Sequence, residues 1–187
     1  AGPPHASAPL EPPCPPYATL ATAKMALMAL SDAHEAAAPD EGYGFGAEPP
    51  WSLDDVDHAF SHVVELKYSQ LIRLSGRAAG VSLMPLAAGT TLGGAIWVIS
   101  KGTEEIVYAA EFNHQKERML AGASFDALSK PTLLIARCPG ASLSIAPRKQ
   151  REAELVEAIR GGLESGRDVL LPAAAAGPVL ELAPLLE

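Results

Sequence analysis

Residues 81–110 read VSLMPLAAGTTLGGAIWVISKGTEEIVYAA, and this stretch decides the fold. It contains short apolar runs with the length and composition of strands, at residues 81–86, 95–100 and 105–110. Lys101-Gly102-Thr103 predicts a hairpin turn between the last two runs. Residues 87–94 form a glycine-rich loop, through which the backbone can approach another group closely. The stretch therefore predicts successive strands of one sheet.

Helices and further strands flank this stretch on both sides. Helical spacing, capping residues and helix propensity predict helices over residues 19–38, from Ser52 onward, over 147–166 and over 179–186. Additional strands are predicted at residues 68–74, 132–136 and 169–171. The run at 132–136 is short and apolar, which is typical of a buried strand. The pattern as a whole predicts an α/β fold.

Composition limits the class of protein. The chain has 187 residues, enough for one domain with a real core. Its net charge of −8 argues against binding nucleic acid through bulk charge, because that mode needs a basic face. No uncharged apolar run reaches the roughly 18 residues that span a bilayer, so no membrane partner is expected. Cys14 and Cys138 are too few for a disulfide framework, which favours a reducing compartment.

Three isolated side-chain features are candidates for chemistry. His58 and His62 have the helical spacing at which two imidazoles share a metal, but a solvated helix face is favoured because no third ligand is near in sequence. His114 could be a loop ligand or base, although a histidine bonded to backbone is the favoured interpretation. Arg137 could activate the Cys138 thiol by lowering its pKa, although an inert thiol is favoured.

A basic turn follows Pro147 at the start of a predicted helix. Arg148, Lys149 and Arg151 place three cations against the helix dipole. They are candidate contacts to RNA phosphates, with a solvated turn as the favoured alternative.

Two segments carry a resemblance to a known family. Residues 85–97 (PLAAGTTLGGAIW) and 106–114 (IVYAAEFNH) resemble the metallo-β-lactamase/β-CASP nucleases of RNA processing. Supporting stretches lie at residues 17–19, 53–57, 66–70, 147–151 and 179–183. The resemblance implies a partial metallo-β-lactamase-like αββα sandwich that leads into the start of a β-CASP domain. We therefore expect a Pro/Ala-rich N-terminal segment with one helix and a linker or insert over 1–50, the first domain over 51–146 and a truncated second domain over 147–187.

Active members of this family bind two zinc ions, and the resemblance indicates where their ligands would stand. The His-x-His-x-Asp-His motif would precede residue 17 and does not occur in this sequence. Thr90 stands in place of a histidine, Glu111 in place of a bridging aspartate, and Arg137 in place of an acidic residue. A hydroxyl is a poor zinc ligand and a cation opposes a divalent metal. The resemblance therefore implies a pseudo-enzyme with no cofactor.

Within the family, the resemblance is strongest to non-catalytic members of the pre-mRNA 3′-end cleavage and polyadenylation machinery. It implies a nuclear scaffold subunit that pairs with a homologous endonuclease subunit, connects to a symplekin-like scaffold and contacts pre-mRNA weakly or indirectly. The main alternative is an active zinc-dependent RNA endonuclease whose principal ligands lie outside this chain. A small-molecule binding domain that uses the loop at 89–94, and a non-catalytic subunit of the Integrator complex, are weaker alternatives.

Overall fold

The fold is described by a computed structural model over residues 15–37, 51–126, 128, 130–137, 146–174 and 177–187. The chain divides into two compact units, Ala1–Lys67 and Tyr68–Glu187. Cys14, Cys138 and the predicted linker at 39–50 lie outside the described residues. None of the described helices is long and apolar enough to cross a bilayer.

The first unit joins two parallel strands to two helices. Strand β1 (Tyr17–Thr19) leads directly into helix α1 (Leu20–Ala37), and helix α2 (Leu53–Ser61) precedes strand β2 (Val64–Leu66), which pairs in parallel with β1. The predicted Ser52 cap is confirmed: its hydroxyl accepts from the Asp55 amide at 3.2 Å, and the Asp55 carboxylate accepts from the Ser52 amide at 2.9 Å. The Ser52 amide and the Ser52 hydroxyl both donate to the Asp55 carboxylate, and these two hydrogen bonds lower the pKa of Asp55.

The second unit is built on a five-stranded mixed sheet. Its strands are β3 (Ile72–Arg73), β4 (Val81–Ala87), β5 (Ala95–Lys101), β6 (Glu104–Ala109) and β7 (Leu133–Ala136), in that spatial order. The pairs β3–β4, β4–β5 and β5–β6 are antiparallel, whereas β6 and β7 are parallel. Strands β4 and β5 pair from Val81 opposite Lys101 to Ala87 opposite Ala95. The prediction of strands over 81–110, including the hairpin, is confirmed.

The core of this unit lies on β4, β5 and β6. Ile96 and Val107 are fully buried, and Val98 and Ala109 follow them two residues later on the same faces of their strands. The same cluster extends into the loops that follow β4 and β6. Ala88 and Ala123 are buried there, and Phe125 and Leu128 are partly buried and pack against the cluster. The hydrophobic core therefore packs the loops that follow β4 and β6 against the central strands.

Two helices complete the second unit, and their bounds agree with the sequence predictions within two residues. Helix α3 spans Arg148–Glu164, with Pro147 as its N-terminal cap residue rather than its first helical residue. Helix α4 spans Pro178–Leu186.

Three strand predictions need correction. The strand predicted at 68–74 is reduced to Ile72–Arg73, because Ser69 has a φ of 61° and interrupts the extended backbone. Residues 169–171 form no strand, and Leu170 is 89% exposed, because the run finds no partner strand in the described part of the chain. The strand predicted as buried at 132–136 exists as β7, but its residues are exposed, with β6 as its neighbour in the described sheet.

Candidate functional site

The glycine-rich loop after β4 packs tightly against the loop that follows β6. Gly89 is buried with a φ of 71°, and a Cβ atom at this position would collide with the Asn113 carbonyl oxygen and lie 2.9 Å from the Ala123 amide nitrogen. The Asn113 amide donates to the Ala88 carbonyl at 2.8 Å. The expected close backbone approach is therefore confirmed, and its partner is another loop of the same unit.

Strand direction brings the three predicted ligand positions together. Strands β4, β6 and β7 run the same way, because β4 and β6 are both antiparallel to β5 and β7 is parallel to β6. Their carboxyl ends therefore lie at one edge of the sheet. Thr90 follows β4, Glu111 follows β6 and Arg137 follows β7. These three residues line one open pocket of about 260 Å³, together with Ala110 and Phe112.

An ion pair lies in this pocket. The Arg137 guanidinium donates from Nη1 to Glu111 Oε1 at 2.8 Å. The two side chains are 67% and 63% exposed, so the pair contributes little to stability, roughly 1 kcal/mol at most. The carboxylate at the expected ligand position is therefore paired with a cation.

The described donors of the pocket are fewer than a zinc centre needs. Among the residues that the structure describes, they are one hydroxyl, from Thr90, and one carboxylate, from Glu111, whereas catalytic zinc takes three protein ligands and structural zinc four. Within the described ranges, no group of three or more histidine, cysteine, aspartate or glutamate side chains is arranged to hold a metal ion.

The predicted basic turn is engaged within the protein. Arg148 donates from Nε to Glu152 at 2.6 Å and pairs through Nη1 with Glu117 at 2.8 Å. The hydrogen bond to Glu152 is the main reason that the pKa of Arg148 is raised. Arg151 donates to the Ala146 carbonyl at 3.0 Å, and Lys149 is exposed. RNA contact by this turn stays a prediction, and Arg148 would have to leave its carboxylates to take part.

A network of charged residues around Arg148 was missed by sequence reasoning. Arg118 pairs with Glu152 at 2.7 Å, and the Glu181 carboxylate accepts from the backbone amides of residues 118, 119 and 120 at 2.7, 3.0 and 3.1 Å. The four-residue spacing of Arg148 and Glu152 on one predicted helix is typical of an ion pair and could have indicated this contact. The contacts of Glu181 span 61 to 63 residues and leave no local signal in the sequence.

The remaining candidates lie elsewhere. His58 on α2 and His62 directly after its end place their Nε2 atoms 3.4 Å apart, in edge-to-face ring geometry. No third metal-ligating side chain joins them among the residues that the structure describes. His114 is exposed, in the loop after β6, and Cys138 lies outside the described residues.

Comparison with known proteins agrees with the fold. The relatives include the probable cleavage and polyadenylation specificity factor subunit 2 of Drosophila melanogaster, which is 41% identical over 175 residues, covering 93% of this chain and 22% of that protein. Subunit 2 of the same factor from Arabidopsis thaliana is 43% identical over 138 residues, covering 73% of this chain and 19% of that protein. The Endoribonuclease ysh1 of Emericella nidulans is 33% identical over 107 residues, covering 57% of this chain and 12% of that protein.

The chain thus spans about a fifth of the length of the two curated subunit 2 relatives named here. Residues 5–137 match the metallo-beta-lactamase superfamily domain, which confirms both the resemblance and the α/β fold class. Because that match covers more than half of the sequence, the chain belongs to the metallo-β-lactamase superfamily.

Proposed function

We propose that this chain is part of a non-catalytic scaffold subunit of the pre-mRNA 3′-end cleavage and polyadenylation complex. Its similarity to cleavage and polyadenylation specificity factor subunit 2 from an insect and a plant supports this role. Such a subunit acts in the nucleus, where pre-mRNA is processed.

The observation that carries the non-catalytic role is the Glu111–Arg137 ion pair in the pocket beside Thr90. A zinc site needs several nitrogen, sulfur or carboxylate donors that are free to coordinate. Here the guanidinium supplies the positive charge beside Glu111 and would repel a divalent ion placed between them. Thr90 offers a neutral hydroxyl, which is a weak zinc donor.

The proposed partners are a homologous endonuclease subunit and a symplekin-like scaffold. In this arrangement, the partner subunit cleaves the RNA, and this subunit helps to place that nuclease on the RNA. Direct contact with pre-mRNA is weak, because the chain carries a net charge of −8 and Arg148 is occupied by carboxylates.

The alternative is an active zinc-dependent RNA endonuclease whose principal ligands lie outside this chain. Two observations favour it: the similarity to a protein named as an endoribonuclease, and the carboxylate that Glu111 keeps at the pocket. Glutamate is one methylene longer than aspartate, which moves its oxygens by about an ångström against a ligand tolerance of roughly 0.2 Å.

A complementation experiment separates the two functions. Cells depleted of the endogenous protein receive the full-length protein with Glu111→Ala, and cleavage of pre-mRNA at the 3′ end is measured. A scaffold subunit retains cleavage, because the exposed ion pair contributes little to folding. A metal-dependent nuclease loses it.

Glu164→Ala provides the matched control, because Glu164 is an exposed glutamate at the end of α3 and is not among the residues that line the pocket. Loss of cleavage in Glu111→Ala alone, at normal protein abundance, would refute the scaffold role.

A further inference from the structure

The C-terminal segment, residues 177–186, contacts both loops that supply the pocket. At its start, a Cβ atom on Gly177 would lie 3.0 Å from the Thr90 carbonyl oxygen and 3.2 Å from Thr91 Cγ2. Gly177 is buried in this contact. One helical turn later, Glu181 reaches the loop that follows β6.

Glu181 is held there by three successive backbone amides. Arg118, Met119 and Leu120 each donate an N–H to its carboxylate, at 2.7, 3.0 and 3.1 Å. Hydrogen bonds to a charged carboxylate are about twice as strong as those between neutral groups. The Glu181 side chain is only 19% exposed, and Arg148 Nη2 lies 3.8 Å from its Oε2 atom.

The loop that Glu181 holds begins at a pocket residue. Glu111 opens this loop, and the Asn113 backbone amide ties it to the glycine-rich loop by donating a hydrogen bond to the Ala88 carbonyl. The Asn113 side chain also donates to Glu117 Oε1 at 2.9 Å, next to the residues that bind Glu181. One short segment thus restrains the Thr90 side and the Glu111 side of the pocket at the same time.

We propose that Glu181 is a positioning residue that fastens the C-terminal segment across both loops and thereby fixes the relative placement of Thr90 and Glu111. This inference does not depend on whether the pocket holds a metal. It assigns Arg148 and Arg118 to the same internal network, with Glu152 as the carboxylate that they share.

Backbone hydrogen exchange in the full chain tests the proposal. In Glu181→Ala, we expect the amides of residues 118–120 to exchange at least about tenfold faster, because each loses a charge-assisted acceptor. The amides of residues 88–94 should also exchange faster, because Gly177 is no longer held against Thr90. Glu181→Gln, which keeps a neutral acceptor, should give intermediate rates at both loops. Glu187→Ala, at the exposed residue directly after this segment, should change neither loop.

The amides of Val98 and Val107 in the sheet core report global unfolding. If Glu181→Ala also speeds the exchange of these two core amides, the variant is destabilised as a whole. The exchange rates at the two loops are then compared between Glu181→Gln and the parent at the same temperature. Faster exchange at 118–120 without any change at 88–94 would overturn the proposal, because Glu181 would then be a local contact only. Unchanged exchange at both loops would overturn it as well.

Discussion

Gly89 meets two separate requirements at one backbone position. Its φ of 71° lies in the left-handed region, and its missing side chain leaves room for the Asn113 carbonyl. Gly102 shares the first requirement, with a φ of 62°, but has nothing within 4 Å of a Cβ position. Substituting each glycine therefore separates two energetic penalties. Gly102 reports the penalty of the left-handed backbone alone, and Gly89 reports that penalty together with the steric clash between the loops.

We expect Gly89→Ala to lower the free energy of unfolding by about 3 kcal/mol or more, because the loops must separate to admit the methyl group. Gly102→Ala should cost only about 1–2 kcal/mol, the penalty for the left-handed conformation. Equilibrium denaturation with urea measures both. Equal losses would show that the contact between the two loops is not tight.

The strands of the sheet differ sharply in what they bury. Ile96 on β5 is fully buried, whereas Leu134 on β7 is 54% exposed. We expect Ile96→Ala to cost about 2–5 kcal/mol, since it leaves a cavity in the core. Leu134→Ala should cost less than about 1 kcal/mol in the same chain. A comparable loss at Leu134 would mean that β7 is covered by part of the protein outside the described residues.

Helix α3 carries a carboxylate whose ion pairs make stability depend on pH. The pKa of Glu152 is lowered from its ordinary value of 4.5, first by the hydrogen bond from Arg148 and then by Arg118. A lowered folded-state pKa means that the stabilisation is present above 4.5 and is lost as the pH falls through the lower folded value. Protonation weakens both ion pairs.

Glu152→Gln should therefore destabilise the chain at neutral pH and converge with the parent well below pH 4.5. Thermal unfolding across this range measures the difference. Glu164→Gln, at the exposed end of the same helix, is the control and should show no such convergence. A difference between Glu152→Gln and the parent that stays constant with pH would contradict the assigned ion pairs.

Across the whole molecule, local features were predictable and long-range ones were not. The strands over 81–110 follow from apolar runs joined by short connections, which the sequence displays directly. The exposure of β7 depends on which elements cover it, and an apolar run alone does not reveal this. The contacts of Glu181 join residues more than 60 positions apart. The family resemblance indicated Thr90, Glu111 and Arg137, and strand direction explains why they meet.

Metal analysis of the purified full-length protein is the most direct test of the proposal that the pocket binds no metal. The protein is incubated with excess zinc, freed of unbound metal and compared with the Glu111→Ala variant. We expect well under one zinc per chain, with no difference between the two proteins, because the pocket offers a hydroxyl and a carboxylate already paired with Arg137. About two tightly bound zinc ions per chain, lost on Glu111→Ala, would show instead that the pocket belongs to a working two-metal centre.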